Sequence, residues 1–131
     1  ELRGRKTNVD IDVQGALAGS AKKNFKGTID FKSGCKKSKG NENEFCMLLS
    51  DKAKSIALPI LLCSEDDVEG NHSTASGKVD NKILFYVMSR GLSYKEAVKL
   101  LVKSNFTTII DRISDENLKE EVIRRIDEKL D

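Results

Sequence analysis

Apolar residues recur at every second position up to about Cys63 and at every third or fourth position after Gly77. In the first part, Val9, Ile11 and Val13 alternate with polar residues. So do Phe25, Ile29 and Phe31 around Gly27, then Phe45, Met47 and Leu49, then Leu58, Ile60 and Leu62. Period-two alternation predicts short strands. The segments 15–24, 32–43 and 50–55 are rich in Gly, Ser, Lys and Asn and read as the turns between them. Such a series fits a sandwich, a barrel or a β-helix, and no strict repeat period chooses among them.

The second part reads as helices. Asp80 is placed to N-cap a helix with Ile83, Leu84, Val87 and Met88 on one face, and Gly91 to end it in a left-handed conformation. Ser93 and Glu96 have capping-box spacing and open a second helix bearing Ala97, Leu100 and Leu101. Phe106 to Ile113 reads as a short third helix. Ser114 or Asp115 then caps a fourth, with Leu118, Val122, Ile126 and Leu130 at steps of four. The pairs Glu120/Arg124 and Glu121/Arg125 support its wet side by about 0.2–0.5 kcal/mol each.

Between the two patterns lies 64–77, an acidic, turn-forming stretch that reads as a loop and holds the only histidine, His72. Glu65, Asp66, Asp67, Glu69 and Cys63 all fall within nine residues of its imidazole, so any metal chemistry is expected there. The plainer reading is a solvated loop histidine. Cys63, closing the Leu58 to Leu62 run, reads more readily as core than as ligand.

A chain of 131 residues can bury a core without staples. Its net charge of +2 does not favour nucleic-acid binding, although residues 1–63 carry +5 and residues 64–131 carry −3. Three cysteines, Cys35, Cys46 and Cys63, with no Cys-x-x-Cys spacing argue against a disulfide framework or a self-contained zinc site and for a reducing, cytoplasmic setting. The apolar runs are too short to cross a bilayer, so no membrane role is expected. The first residue is Glu and strand-like alternation starts close to it, which predicts the C-terminal piece of a longer protein.

Phosphate-binding glycine loops and a Gly-x-Ser-x-Gly elbow do not occur in the sequence, so ATP hydrolysis by this chain is not expected. A dyad of Cys46 or Cys63 with His72 lacks an evident orienting group. A carbohydrate-acting β-helix enzyme is disfavoured by an aromatic content of 5%. The chain is therefore expected not to be an enzyme.

The segment Leu84-Phe-Tyr-Val-Met-Ser-Arg-Gly-Leu-Ser-Tyr-Lys-Glu-Ala97, following His72 and Gly77, resembles the C-terminal signature of the SufB/SufD family, scaffold subunits of SUF-type iron-sulfur cluster assembly. Leu48-Leu-Ser-Asp-Lys-Ala53 resembles that family's "LLLSDKA" strand end, and Asp10 to Gly15 with Phe25 to Phe31 resembles its repeating strands. The resemblance implies a β + α fold: end coils of a right-handed parallel β-helix over 1–77, then a small C-terminal α-helical bundle over 78–131. It implies a scaffold that pairs with a second SufB/SufD-like chain, or with its own copy, and docks a SufC-like ABC-type ATPase through the helices. Phe85, Arg90, Leu92 and Tyr94 are the docking candidates, while Leu84, Phe85, Val98 and Leu101 also suit a bundle core.

The resemblance further implies an iron-sulfur cluster as transient cargo, with none held permanently. The family's histidine maps onto His72, with Cys46 and Cys63 as thiol candidates for cluster assembly. Cys46 falls one residue from the SufB-type cysteine, which puts it on the opposite strand face. Gly70-Asn-His-Ser73 lacks both the flanking glutamates of SufB-like chains and the "CSHG" of SufD-like chains, and leans toward a SufD-like member with a largely structural role.

Overall fold

The computed structural model describes residues 1–130, which divide into two compact units, residues 1–77 and the residues from Lys78 onward. The first unit is built from five strands: β1 Asn8–Leu17, β2 Lys22–Phe31, β3 Ser38–Leu48, β4 Lys54–Cys63 and β5 Val68–Lys78. They alternate between two sheets, one ordered β1-β3-β5 and the other β2-β4. Pairing is parallel in both, with Asn8 opposite Lys39 at an offset of 31 residues and Lys22 opposite Lys54 at an offset of 32. A nearly constant offset means that each circuit of the chain lays one strand on each sheet. Equivalent positions therefore stack in columns.

The core lies between the sheets. Leu2, Ile29, Phe31 and Cys35 are buried together, with Val9, Ile11, Leu61 and Val68 packed around them. Burying side chains such as Ile29 and Phe31 stabilises the unit by about 1.5–3 kcal/mol each. Leu2 is tied in by backbone hydrogen bonds, its N–H donating to the Asp30 carbonyl at 2.7 Å and its carbonyl accepting from Lys32 at 3.0 Å.

Three strands differ from the expectation. β3 begins at Ser38, inside the expected turn, and its buried face is Ser38, Gly40, Glu42, Glu44 and Cys46, while Phe45 and Met47 are only half-buried on the other face. Glu44 is tolerated in this interior because Lys23 on β2 reaches across and pairs with it, and the Ser38 hydroxyl is bonded to Thr7 N–H and the Gly4 carbonyl. On β4 the alternation is real but turned outward: Ile56, Leu58, Ile60 and Leu62 are 42–54% exposed, and Cys63 is exposed as well, not core. Leu61, on the other parity, packs on the core cluster. β4 is an edge strand, the position in a sheet that tolerates Pro59 with its missing N–H. The 64–77 stretch is mostly strand rather than loop, because β3 supplies a pairing partner for β5.

The second unit holds three helices, α1 Asn81–Ser89, α2 Tyr94–Ile110 and α3 Glu116–Leu130. Asp80 caps α1, its carboxylate accepting from the N–H groups of Lys82 at 2.7 Å and Ile83 at 3.4 Å, and Gly91 follows at φ 102° as the glycine exit requires. Ser93 and Glu96 form the reciprocal capping box of α2. The short third helix is not separate. Thr107 and Thr108 hydrogen-bond back to the Lys103 and Asn105 carbonyls, and α2 runs on through them to Ile110. Asp115 caps α3 by accepting from Leu118 N–H at 3.1 Å.

Among the described residues of this unit, Leu84, Ala97, Val102 and Ile110 are buried, whereas Val98 and Leu101 are half-buried and Phe85 is exposed. Lys103 joins α2 to α3 through both oxygens of Asp127 at 3.0 Å. On α3, Arg125 donates to Glu121 at 2.6 Å as expected, but Arg124 pairs with Glu121 at 2.7 Å and with Glu128, not with Glu120.

Candidate functional site

β5 carries His72 and closes the three-stranded sheet. Its register on β3 follows from side chains: Asn71 donates to the Asn41 side-chain oxygen at 3.1 Å and Ser73 to that of Asn43 at 2.8 Å, each 30 residues apart. Lys39 pairs with Glu69 at 2.8 Å on the same offset. Asn71 and Ser73 thus lie on the outer face. Gly70 lies against Phe31 and Leu61, and Thr74 lines a cleft with Glu44, so the positions between them share the inner face. His72 is on that face, in the same column as Glu42, and is exposed because β5 is the last strand of its sheet.

Glu44, Ser55, Ala57, Thr74, Ala75 and Ser76 line the cleft, which has a volume of about 210 Å³ and is mostly polar. The inner face there carries hydroxyls and a carboxylate held by Lys23. Glu42, 1% exposed, packs into the space left by the missing side chain of Gly27 on β2.

The thiol candidates do not join His72. Cys46 is fully buried, and the 30-residue offset puts it beside Ser76, four residues along the strand from His72, or about 13 Å at the usual strand rise. Cys63 pairs with Phe31 as the last pair of the other sheet and is exposed, and Cys35 belongs to the buried core. Among the described residues, no three His, Cys, Asp or Glu side chains come together as a metal site. Two of the acidic neighbours of His72 in sequence are turned to other tasks. Glu65 accepts from Gly34 N–H at 3.0 Å, a hydrogen bond that holds its carboxyl below the usual range, and Glu69 pairs with Lys39.

The acid that the register places beside His72, Glu42, escaped the sequence pattern. A 30-residue echo, Lys39-Gly-Asn-Glu-Asn against Glu69-Gly-Asn-His-Ser, could have found it.

On the helical unit, Phe85 is 73% exposed, with Tyr86, Tyr94 and Arg90 exposed as well and Leu92 half-buried. Arg90 stacks 5.3 Å from the Tyr86 ring centre and donates to the Tyr86 hydroxyl at 2.9 Å. Exposed aromatics beside a guanidinium are the residue types that dominate protein interfaces.

The family described as SUF system FeS cluster assembly, SufBD core domain, matches residues 1–105, and the chain belongs to that family. Within it the chain is similar to the iron-sulfur cluster assembly protein SufD of Bacillus subtilis, 32% identical over 127 residues, which are 97% of this chain and 29% of that protein. It is 27% identical to SufD of Escherichia coli over 81% of this chain and 25% of that protein. A SufBD-family protein of Pyrococcus horikoshii is 46% identical over 52% of this chain and 15% of that protein. The chain therefore spans less than a third of the length of these relatives, and the likeness to SufD agrees with the SufD-like leaning of the His72 motif. None of the described helices is long and apolar enough to cross a membrane.

Proposed function

We propose that this chain is part of a SufD-type scaffold for SUF iron-sulfur cluster assembly, acting in the cytoplasm by assembly rather than by catalysis. In this reading the stacked strands are end coils of a parallel β-helix. The open β5 edge meets a second scaffold chain, and His72 offers an imidazole to a cluster completed by ligands from that chain. The helical unit docks a SufC-like ABC-type ATPase through Phe85, Arg90, Leu92 and Tyr94.

The observation that carries the reading is the pairing of parallel strands at offsets of 31 and 32 residues, ending in an edge strand with His72 exposed on its inner face. An open edge with unpaired backbone groups favours addition of another strand. The exposed Phe85, Tyr94 and Arg90 support the docking role. Capture of the purified SUF ATPase on immobilised chain tests it. Phe85→Asp is expected to abolish retention while leaving the helices folded, and undiminished retention would remove the docking role.

A second reading, a pairing module in which His72 plays no part in the cluster, is favoured by the full burial of Cys46, the thiol on the same sheet. Anaerobic reconstitution with iron and sulfide separates the two readings.

A further inference from the structure

Glu42 is a buried carboxylate with an unused oxygen. It is 1% exposed, and among the described residues its Oε1 has no hydrogen-bond partner. Leaving a carboxylate unpaired away from water carries a heavy desolvation penalty, so a partner is expected among its neighbours. Its neighbour on β1 is Ile11, which has nothing to donate. Across the interior stands Gly27; on β2 Lys26 is exposed, and the half-buried Lys23 is committed to Glu44. The remaining neighbour is on β5. The hydrogen bonds from Asn71 to Asn41 and from Ser73 to Asn43, both 30 residues apart, put His72 beside Glu42. Gly70 against Phe31 and Thr74 in the cleft with Glu44 put both side chains on the inner face.

We propose that Glu42 is the positioning residue of His72. Its free oxygen accepts one ring N–H of the imidazole, reached by rotation of the exposed His72 side chain. That bond fixes the tautomer and leaves the other ring nitrogen as an acceptor turned to the open rim. A carboxylate behind a histidine in this way holds the ring's orientation and strengthens it as a donor to a metal ion. Gly27 is part of the arrangement, because only a residue without a side chain leaves room for the Glu42 carboxylate. The inference rests on reading His72 as a cluster-facing ligand, but its test does not.

His72 is the only histidine, so its two ring nitrogens can be followed without ambiguity in the ¹⁵N-histidine-labelled 131-residue chain, free of iron. At alkaline pH the wild type is expected to give one tautomer. Glu42→Leu, which removes a buried charge and so need not destabilise the fold, is expected to give the mixed tautomers of free histidine. Glu42→Gln, whose amide oxygen still accepts, is expected to restore the single form, with the bonded ring proton moved upfield by loss of the charge.

Mixed tautomers in the wild type would overturn the proposal. So would a spectrum unchanged in folded Glu42→Leu or, should that variant not fold, a ring proton unmoved in Glu42→Gln. Any of these removes the pairing and leaves the cluster-facing role standing. Equal cluster absorbance in wild type and His72→Ala removes that role and leaves the pairing standing.

Discussion

The fit of Glu42 against Gly27 makes Gly27→Ala the sharpest test of the two-sheet interior. A Cβ on Gly27 would overlap both carboxylate oxygens of Glu42, a buried group in the middle of a strand. Overpacking costs about 1–3 kcal/mol, with the low end reached where the flexible Glu42 carboxylate swings aside and the high end where its burial holds it in place. At about 4–8 °C per kcal/mol for a domain of this size, the unit should melt roughly 4–24 °C lower. Gly77→Ala is the control, because a Cβ there meets nothing within 4 Å. Both tyrosines, Tyr86 and Tyr94, lie in the helical unit, so their fluorescence reports that unit alone. Amide exchange over 22–48 reports the strands. Exchange should accelerate in Gly27→Ala with tyrosine fluorescence unmoved, and Glu42→Ala in the same chain should relieve part of the loss, with a coupling of about 0.5–3 kcal/mol between the sites. Gly27→Ala as mild as Gly77→Ala, or strictly additive with Glu42→Ala, would refute the packing.

Acid should loosen the helical unit. Glu96, hydrogen-bonded by Ser93, Glu121 by Arg124 and Asp127 by Lys103 all titrate below the ordinary range. Their contribution is present above the unfolded-state values near 4 and is lost as pH falls through the lowered folded-state values, so tyrosine-monitored urea midpoints should fall below about pH 4, and less steeply in Glu121→Gln. Ser93→Ala removes a capping box and should cost about 0.5–2 kcal/mol by the same probe. On the strands, Ile29→Ala should cost about 2–5 kcal/mol. Leu58→Thr, on the outward face of β4, should change stability by no more than about 0.5 kcal/mol in exchange measurements.

The helices were legible where the signal is local. Asp80, Gly91, Ser93 with Glu96, and Asp115 act within one turn, and the structure uses each as the pattern predicts. The third helix was misplaced because the apolar pattern pauses at Lys103, Ser104 and Asn105, whereas α2 runs unbroken through them to Ile110, with Thr107 and Thr108 bonding back to the Lys103 and Asn105 carbonyls. On the strands, alternation located β1, β2 and β4 but not always the inward face. The usual rule puts the apolar parity inside, yet β3 turns Glu42 and Glu44 inward, and the partner that makes Glu44 tolerable, Lys23, is 21 residues away. β5 was invisible as a strand because Gly70, Asn71, Ser73 and Ser76 carry no apolar alternation. Its strand state comes from pairing with β3. The candidate site was legible only as His72. Its neighbours come from a register, and the thiols named beside it, Cys46 and Cys63, lie elsewhere.

The most direct test of the scaffold reading is anaerobic reconstitution of the chain with iron and sulfide, together with a SufB-type partner chain, in wild type, His72→Ala and Cys63→Ser. Cluster absorbance lost in His72→Ala and kept in Cys63→Ser is the expected result. Equal absorbance in all three, with pairing of the chains intact, would contradict a cluster-facing His72.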